Sequence, residues 1–379
     1  MIVVAATAES DGETRVALSP ETAKKFKALG SDVRFQAGAG RQSYFPDKAY
    51  ADAGATIVQG AEDALRNADI VLKVRRPSAE ELSAMKKGAV LAAMLDPFAG
   101  GEPIEALAKA GVNAFAMEFM PRISRAQSMD VLSSQANLAG YKAVVDAAAH
   151  FSRALPMMMT AAGTVPAARV FVMGVGVAGL QAIATARRLG AIVSATDVRP
   201  ATKEQVESLG AKFIAVEDEE FKQAETAGGY AKEMSDAYRR KQAQLVASHV
   251  TNQDIIITTA LIPGRPAPKL VSKAMIESMK PGSIIVDLAA ERGGNAELTM
   301  PGEIVEHHGV TIMGLVNVAG QVAGNASSLY ARNLYAFLEP MIDKKEGVLK
   351  IDWNDDIVKG TALTRDGRII HPSLTGAKA

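Results

Sequence analysis

The sequence predicts an α/β protein with two domains, each built on a mainly parallel sheet. Three observations lead to this prediction. The chain has 379 residues, which is more than one hydrophobic core usually supports. Short apolar runs alternate with helical stretches in two separate series along the chain. Two long helical segments, one between the series and one after the second, indicate that the chain crosses to a second domain and returns.

The first series extends to about residue 120. Its β-rich runs are MIVVAA, DVRFQAG, ATIVQG, ADIVLKV, AVLAAML and NAFAMEF. Between the first two runs lies SPETAKKFKALG, in which Ser19 can cap a helix and Pro20 suits the first helical turn. This alternation of strands and helices favours a parallel sheet with helices on both faces.

The segment VLSSQANLAGYKAVVDAAAHFSRALP follows, with apolar residues at helical spacing and no proline before Pro156. We expect it to form one long helix that joins the domains. A second series of strands and helices runs from ARVFVMGVG to about residue 316, after which SSLYARNLYAFLEPMI predicts another long helix. The predicted domains are residues 1–138 with 322–379, and residues 139–321.

Composition excludes several functional classes. Lysine plus arginine equal aspartate plus glutamate, at 42 residues each, so no basic excess points to nucleic acid. The absence of cysteine excludes disulfides, thiolate metal sites and a cysteine nucleophile. The five histidines lack metal-ligand spacing, and the adjacent His307 and His308 are expected to point to different sides of a helix or strand, so no metal site is predicted. No apolar stretch reaches the ~20 residues of a membrane span.

One motif in the second series has a strong spacing argument. Gly174, Gly176 and Gly179 form GxGxxG directly after an apolar strand and before a helical pattern, and Asp197 ends the next strand. The first glycine would allow a tight turn, the second a close approach of the backbone to a pyrophosphate, and the third close packing of helix on strand. The helix N-terminus would offer unpaired N–H groups to the phosphates. GxGxxG alone is compatible with a glycine-rich turn of no function, but the full pattern predicts a Rossmann-like domain that binds a dinucleotide.

Asp197 would accept hydrogen bonds from the adenosine ribose and repel a 2′-phosphate, which favours NAD(H) over NADP(H), although the nearby Arg199 can accommodate such a phosphate. Two later strands, in NQDIIITTALIPG and PGSIIVDLAAERGGN, end in polar or glycine-rich turns. Ligands of open parallel sheets lie beyond the carboxyl ends of strands. Residues at these two ends therefore either line the cofactor cleft or are plain strand ends; they are Thr258, Thr259, Ala260, Leu261 and Asp287.

Several long segments resemble one family: ETRVALSPE, MPRISRAQSMDVLSSQANLAGY, PMMMTAAGTVPAARVFVMGVGVAGLQAIATARRLGA, ETAGGYAKEMS, ITTALIPGRPAPKL and DLAAERGGN. Over nearly its whole length the chain resembles the NAD(H)-binding peripheral component of proton-translocating NAD(P) transhydrogenase and, more distantly, alanine dehydrogenase. The resemblance implies two Rossmann-like domains with mainly parallel sheets, joined by long helices, with the nucleotide in the interdomain cleft. It implies hydride transfer between NADH and NADP⁺, with the NADP⁺ bound on a partner component that is joined to a membrane component that conducts protons.

The same resemblance implies a homodimer and a peripheral location on the cytoplasmic side of the bacterial inner membrane. Tyr141 and the SSLYARNLY segment, residues 327–335, are candidates for the dimer interface. No nucleic-acid partner is expected.

The polar segment RISRAQSMD, residues 122–130, is the next feature that the resemblance interprets. In the family the matching segment is a polar loop that reaches over the nicotinamide. By this resemblance Arg122, Gln127, Asp130 and Ser133 hold the ring and its carboxamide, for which an arginine or hydroxyl donor and an amide or carboxylate acceptor are suitable groups. The competing interpretation is a solvated interdomain loop with Ser128 or Asp130 as helix N-cap.

The resemblance and the motif together define the candidate site. Tyr230, beside the glycine pair at 228–229, is expected to belong to a mobile lid, and Gln242 is a nucleotide contact by resemblance alone. The candidate catalytic residues are Arg122, Gln127, Asp130, Ser133 and Tyr230. The candidate cofactor-binding residues are Arg122, Ile123, Ser124, Arg125, Gln127, Asp130, Ser133, Gly174, Val175, Gly176, Val177, Gly179, Asp197, Val198, Arg199, Gly229, Gln242, Ala260 and Leu261.

The choice between the two relatives is chemical. Oxidation of an amino acid requires a cation for the carboxylate and a general acid or base near the reacting carbon. Arg15 and Lys73 match basic positions of the alanine dehydrogenase substrate pocket, but Met94-Leu95-Asp96 stands where that enzyme carries its catalytic histidine. Hydride exchange between two nicotinamides needs no accompanying proton, so the sequence favours transhydrogenation with Arg15 and Lys73 as retained scaffold residues. A stand-alone alanine-type amino-acid dehydrogenase and an NAD(H)-sensing module without turnover are the alternatives.

Overall fold

A computed structural model of the chain describes residues 1–10, 12–99, 101–222 and 234–376. The chain divides into two compact units. The first comprises Met1–Gln135 with Ala319–Ala379, and the second comprises Ala136–Val318. Each division lies three residues before the boundary predicted from the sequence, at 135 against 138 and at 318 against 321.

The first unit begins with alternating strands and helices, as predicted. Its strands are β1 (Val3–Ala6), β2 (Asp32–Gln36), β3 (Thr56–Val58), β4 (Ile70–Leu72), β5 (Val90–Ala93) and β6 (Asn113–Ala116). Its helices in this part are α1 (Pro20–Ala28), α2 (Asp47–Asp52), α3 (Ala61–Leu65), α4 (Ala79–Ala84) and α5 (Glu102–Ala110). Each of the six predicted apolar runs contains one strand. Ser19 caps α1 by accepting the N–H of Thr22, and Pro20 occupies the first turn.

The six strands of the first unit form a parallel sheet in the order β3-β2-β1-β4-β5-β6. The order reverses between β1 and β4. Successive residues of β4 pack into two different apolar clusters, Ile70 and Leu72 in one and Val71 in the other. Because side chains alternate along a strand, both faces of this sheet are covered.

Helix α6 (Val131–His150) begins in the first unit and continues in the second. It ends six residues before Pro156, the residue that was expected to stop it. The next residue, Phe151, is buried in the core of the second unit. The helix therefore ends before the chain reaches the proline.

The strands of the second unit are β7 (Met158–Thr160), β8 (Gly163–Val165), β9 (Arg169–Met173), β10 (Ile192–Thr196), β11 (Lys212–Phe213), β12 (Ile255–Thr258), β13 (Ile284–Asp287), β14 (Ile304–His307) and β15 (Val310–Met313). A seven-stranded sheet has the order β11-β10-β9-β12-β13-β15-β14, parallel except for β14 at the edge. The order reverses between β9 and β12. Strands β12 and β13 are buried along their whole length, as expected of central parallel strands. The further helices of this unit are α7 (Val177–Arg188), α8 (Thr202–Ser208), α9 (Glu219–Lys222), α10 (Asp236–Val250) and α11 (Lys273–Ser278).

A two-residue turn joins β14 to β15. His308 and Gly309 both have positive φ, 51° and 74°, which is the type I′ geometry that suits the twist of a hairpin. The rings of His307 and His308 stack with centroids 4.7 Å apart. The prediction that these side chains point to different sides was wrong, because it assumed a regular helix or strand where His308 has left-handed backbone.

The chain returns to the first unit through α12 (Ala323–Leu338), the second predicted long helix. Tyr330, Leu334 and Phe337 of this helix are buried in the core of that unit. Tyr330 and Leu334, two large side chains of the segment SSLYARNLY, are therefore not available to a homodimer interface. A role of the rest of this segment in such an interface stays a prediction. The remaining elements are β16 (Ile342–Asp343), β17 (Val348–Leu349), α13 (Asp356–Thr361), β18 (Thr364–Arg365), β19 (Arg368–Ile369) and α14 (Pro372–Thr375).

Among the described residues, no helix combines the length and the apolar character needed to cross a bilayer.

Candidate functional site

The carboxyl ends of β9 and β12 meet where the strand order of the second unit reverses. Gly174 follows β9 and Thr259 follows β12. The Thr259 hydroxyl donates to the Gly174 carbonyl oxygen at 2.9 Å, and the Thr259 N–H donates to the Met173 carbonyl oxygen at 2.9 Å. Ligands of open parallel sheets bind in the crevice at such a reversal. The predicted GxGxxG motif thus lies at the position that the fold makes suitable for a ligand.

The three glycines of this motif meet three different geometric requirements. Gly174 has a φ of 101°, which a residue with a side chain rarely adopts. Gly179 lies in α7 against the Gly174 carbonyl, so close that a Cβ could not be accommodated. Gly176 is exposed at the N-cap of α7, and a Cβ built there would meet nothing within 4 Å. Open space therefore lies beside the helix N-terminus, where unpaired N–H groups favour an anion.

Asp197, directly after β10, is bonded to the motif. Its carboxylate accepts the N–H of Val175 at 2.7 Å and forms an ion pair with Arg199, whose Nε lies 2.9 Å away. Arg199 also donates to the Val175 carbonyl oxygen at 3.1 Å. The Asp197 side chain is only 7% exposed. The carboxylate thus holds the turn after β9 in place, and its charge is balanced locally by Arg199.

Gln242 of α10 bonds to the end of β10 and to the segment that follows β11. Its side-chain oxygen accepts the N–H of Val216 at 2.9 Å, and its amide nitrogen donates to the Thr196 hydroxyl at 3.2 Å. The sequence analysis predicted Gln242 as a nucleotide contact by resemblance alone. In the structure its side-chain amide links Thr196, the last residue of β10, to Val216.

The segment after β12 is held by Asn295, a residue that the sequence analysis missed. The Asn295 side chain accepts the N–H of Ala260 at 3.0 Å and donates to the carbonyl oxygens of Ala260, at 2.9 Å, and Pro268, at 2.8 Å. It is fully buried. The sequence signal that could have found it is the position of an asparagine after a glycine pair in DLAAERGGN, beyond a strand end.

Asp287 at the end of β13 has a local role. Its buried carboxylate accepts the N–H groups of Ala289 and Ala296, both at 2.9 Å, and the hydroxyl of Thr299 at 2.6 Å. These bonds shape the turn that carries Asn295. The sequence left open whether Asp287 lines the cofactor cleft or is a plain strand end, and these contacts engage its side chain in supporting the turn.

The other candidates of the second unit differ in exposure. Val175 is buried, whereas Val177, Val198 and Leu261 are 39%, 56% and 55% exposed. The two lid candidates, Gly229 and Tyr230, lie outside the described residues.

The polar segment RISRAQSMD forms a 3₁₀ helix over Ser124–Met129 where an irregular loop was expected. Its Ala126 and the following Val131 are buried in the core of the first unit. The exposed side chains are those of Arg122, Ile123, Ser124, Arg125, Gln127 and Ser128. Two apolar anchors thus fix a short helix whose polar side chains face outward.

Asp130 caps the helix that follows. Its carboxylate accepts the N–H of Ser133 at 2.9 Å and the Ser133 hydroxyl at 2.5 Å. Asn333 of α12 fixes the segment from the other side, because it donates to the Ser128 carbonyl oxygen at 2.8 Å and accepts from the Ser134 hydroxyl at 2.7 Å. Between Ser128 and Asp130, the two expected N-caps, the structure selects Asp130.

Arg125 makes an ion pair with Asp355, with Nη1 and Oδ2 2.6 Å apart. The hydrogen bond from Arg125 lowers the pKa of the Asp355 carboxyl below its usual value. Asp355 also caps α13 by accepting the N–H of Ile357 at 2.8 Å. Arg125 thus holds the C-terminal region of the first unit.

Ionic side chains fill the corresponding reversal in the first unit, beyond β1 and β4. The ammonium group of Lys73, 1% exposed, donates to Glu81 at 2.9 Å, to the Thr7 hydroxyl at 3.1 Å and to the Ala8 carbonyl oxygen at 2.7 Å. Glu9 lies 3.6 Å from the same nitrogen. Burial raises the pKa of Glu9 to about 7, against the attraction of Lys73.

Arg15 is engaged in the same way. Glu13 accepts from its Nε and Nη2, both at 2.7 Å, and Gln135 accepts from its Nη1 at 2.8 Å. Burial alone would raise the pKa of Glu13, but Arg15 and Arg75 lower it to about 2. Each of the two cations that match a substrate pocket therefore already has a carboxylate of the chain as its partner.

The residues at the catalytic-histidine position are also tied to the protein. The N–H groups of Leu95 and Asp96 donate to the Glu118 carboxylate at 3.1 and 2.6 Å. Burial raises the pKa of Glu118. These contacts hold the segment in place. None of its residues, Met94, Leu95 and Asp96, carries an imidazole that could transfer a proton.

Comparisons with known proteins agree with this geometry. The alanine dehydrogenase/PNT N-terminal domain matches residues 5–139, and the alanine dehydrogenase/PNT C-terminal domain matches residues 143–372. The chain is 58% identical over 373 residues to an NAD(P) transhydrogenase alpha subunit chain of Rhodospirillum rubrum, covering 97% of each chain. It is 31% identical over 298 residues to alanine dehydrogenase of Mycobacterium tuberculosis, covering 78% of this chain and 74% of the relative.

A solved structure extends the similarity to three dimensions. The crystal structure of transhydrogenase from Sinorhizobium meliloti matches with a TM-score of 0.89 at 59% identity, covering 97% of this chain and all of that one. Two domain matches in order, a shared fold and a glycine motif at the strand reversal lead to one conclusion: this chain belongs to the alanine dehydrogenase/PNT family.

Proposed function

We propose that this chain is the NAD(H)-binding peripheral component of a proton-translocating NAD(P) transhydrogenase. Hydride would pass between the nucleotide bound here and NADP(H) bound to a separate component. The observation that carries this proposal is the glycine turn at the β9–β12 reversal, with open space at Gly176 and a carboxylate, Asp197, beside it. The transhydrogenase alpha subunit of Rhodospirillum rubrum, at 58% identity, supports the same function.

The second unit offers groups suited to a dinucleotide. The N–H groups at the start of α7 would bind the pyrophosphate, and Asp197 would accept from the adenosine ribose while Arg199 keeps the carboxylate in position. Ala260, held by Asn295, follows β12, and Gln242 of α10 bonds to Thr196 at the end of β10; both would complete the binding edge. When bound, the nicotinamide supplies the redox chemistry, and the protein contributes orientation.

The polar segment of the first unit is proposed to orient the nicotinamide. Arg122 and Gln127 carry exposed polar side chains on a segment that Ala126 anchors in the core. Asp130 and Ser133 bond to each other at the start of α6, so they would set the position of the segment as well as offer polar atoms. An exposed amide and a guanidinium on a fixed backbone suit the recognition of a carboxamide.

The amino-acid dehydrogenase alternative is disfavoured by the first unit. At Arg15 or Lys73 a substrate carboxylate would meet the negative charge of Glu13 or Glu81, each of which lies within 3 Å of its cation. The missing histidine at residues 94–96 removes the proton-transfer group as well.

Assembly and location belong to the same proposal. The component would dock to NADP(H)-binding and proton-conducting partners on the cytoplasmic side of the bacterial inner membrane. It would also form a homodimer, which the exposed side chains of Met157, Met158 and Met159 at the β7–β8 hairpin support, with 57%, 43% and 79% exposure. Tyr141, at 42% exposure, is a second apolar surface residue compatible with such an interface.

Hydride exchange between purified components tests the proposal. NADH should reduce an NADP⁺ analogue when both this chain and the NADP(H)-binding component are present, and with neither alone. Alanine-dependent reduction of NAD⁺ by the isolated chain would overturn the proposal in favour of the dehydrogenase. NADH binding without either activity would instead identify a nucleotide sensor.

A matched pair of variants tests the role of the polar segment. Gln127→Asn shortens one side chain by a methylene and should slow hydride transfer far more than it weakens NADH binding, because the pyrophosphate site is unchanged. Ser128→Ala, on the same 3₁₀ helix, keeps the backbone bond to Asn333 and serves as the control with wild-type rates. Equal losses of rate and affinity in Gln127→Asn would contradict the assigned role.

A further inference from the structure

Three potential metal ligands converge on the surface of the second unit. The Nε2 atom of His307 lies 2.8 Å from Oε1 of Glu277, and the Nε2 atom of His308 lies 3.8 Å from the same oxygen. One ligand atom from each residue lies within 4.8 Å of the others. All three side chains are at least 29% exposed, so an ion in solution can reach them.

The backbone holds the two halves of this cluster together. Glu277 lies in α11, and the loop after α11 donates from the Gly282 N–H to the carbonyl oxygen of Gly309 at 2.7 Å. Gly309 is also in close contact with this loop, because a Cβ there would lie 3.0 Å from the Pro281 side chain. The type I′ turn places the two imidazoles side by side, and the Gly282 bond fixes the turn relative to the carboxylate. The ligands are thus arranged by the fold before any ion binds.

We propose that Glu277, His307 and His308 form a binding site for a divalent transition-metal ion such as Zn²⁺. Two imidazoles and a carboxylate are ligands that Zn²⁺ and its neighbours in the first-row series accept. A tetrahedral ion with ligand bonds of about 2.0–2.1 Å needs ligand atoms roughly 3.3 Å apart. The distances of 2.8 and 3.8 Å from Glu277 to the two nitrogens bracket that value. Water would complete the coordination from the exposed side.

Lys273 is the charged group that opposes binding. Its ammonium nitrogen lies 3.8 Å from Glu277 and is 56% exposed, so it can move away as the ion enters. The ion would then take the place of the proton in the hydrogen bond between His307 and Glu277. No nucleotide chemistry is implied, because the turn precedes β15 while the glycine motif follows β9, and these are opposite ends of a parallel sheet.

Titration of the full, untagged chain with ZnCl₂ tests the proposal. Calorimetry should give one Zn²⁺ per chain, and His307→Ala, His308→Ala and Glu277→Gln should each weaken binding at least about tenfold, since even indirect ligand partners are worth 10–100-fold. His150→Ala is the control, because this exposed histidine on α6 bonds to the Asp146 carbonyl oxygen and lies outside the cluster. Zn²⁺ should raise the melting temperature of the wild type and of His150→Ala only.

NADH affinity should be equal with and without Zn²⁺ and in all four variants. Because the readout is metal binding, failure of this site is separate from failure of the proposed redox function. Wild-type-like Zn²⁺ binding in the two histidine variants, or no stoichiometric binding by the wild type, would overturn the proposal.

Discussion

Replacing Gly179 with alanine adds one methyl group where α7 touches the turn after β9. The added Cβ would lie 1.9 Å from the Gly174 carbonyl oxygen and 2.9 Å from its carbonyl carbon. Both are backbone atoms, so no side chain can rotate aside, and the helix must withdraw by about 1 Å to reach a contact of 3.0 Å. Overpacking of this kind costs about 1–3 kcal/mol and sometimes more. We expect about 3 kcal/mol, because the obstacle is the strand turn itself.

Gly176→Ala is the matched control for this substitution. A Cβ at Gly176 meets nothing within 4 Å, and its φ of −82° suits any residue. Loss of a glycine N-cap should cost no more than about 1 kcal/mol. The methyl group would, however, occupy the space proposed for the pyrophosphate. Loss of one hydrogen bond to a charged group costs about 1.5–3 kcal/mol, so NADH binding should weaken by roughly tenfold or more.

Thermal unfolding and calorimetric NADH titration distinguish the two variants. For a unit of this size, about 3 kcal/mol lowers the melting temperature by roughly 6–12 °C. Gly179→Ala should show that loss, and Gly176→Ala should melt close to the wild type while binding NADH poorly. A Gly179→Ala protein with unchanged melting temperature would refute the packing argument, and wild-type affinity in Gly176→Ala would refute the placement of the pyrophosphate.

Three further predictions rest on the described contacts. Asp197→Ala removes the acceptor proposed for the ribose and the partner of Arg199. NADH affinity should fall, and the ratio of NADPH to NADH affinity should rise, in fluorescence titrations. An unchanged ratio would argue against this role. Asn295→Ala leaves the Ala260 N–H and carbonyl oxygen without their side-chain partner. The free energy of unfolding, measured in urea, should fall by about 2–4 kcal/mol, and NADH binding should weaken. Wild-type values for both would remove Asn295 from the site. Burial raises the pKa of Glu9 from 4.5 to about 7. The stability that its protonated carboxyl contributes is therefore complete below pH 4.5 and falls by about 3 kcal/mol as the pH rises to 7. Glu9→Gln should flatten the pH dependence of unfolding between pH 4.5 and about 7, and an equal slope in the variant would contradict the assignment.

Local patterns were sufficient to predict much of the fold. Strand runs, the capped start of α1 and the spacing of Gly174, Gly176 and Gly179 depend on neighbours within a few residues, so the sequence displays them directly. The polar segment was predicted only partially, because the sequence shows its charges but does not show that Ala126 anchors it as a 3₁₀ helix.

Contacts between distant regions of the chain could not be predicted in this way. Asn295 holds a turn 35 residues earlier in the chain. Its place after a glycine pair marks a turn in the sequence, but the sequence does not show which distant residue it bonds. Positive φ angles at His308 and Gly309 brought together two histidine side chains that regular structure would separate.

The sequence by itself determined the two parallel sheets and the position of the GxGxxG motif, because both arise from periodicity and spacing along the chain. Only the tertiary structure decided which charged side chains are paired with another residue of the chain. Lys73 and Arg15 are cations in any interpretation of the sequence, yet Glu81 and Glu13 engage them in the fold. The physical reason is that a buried charge needs a partner, and the partner is chosen by proximity in space.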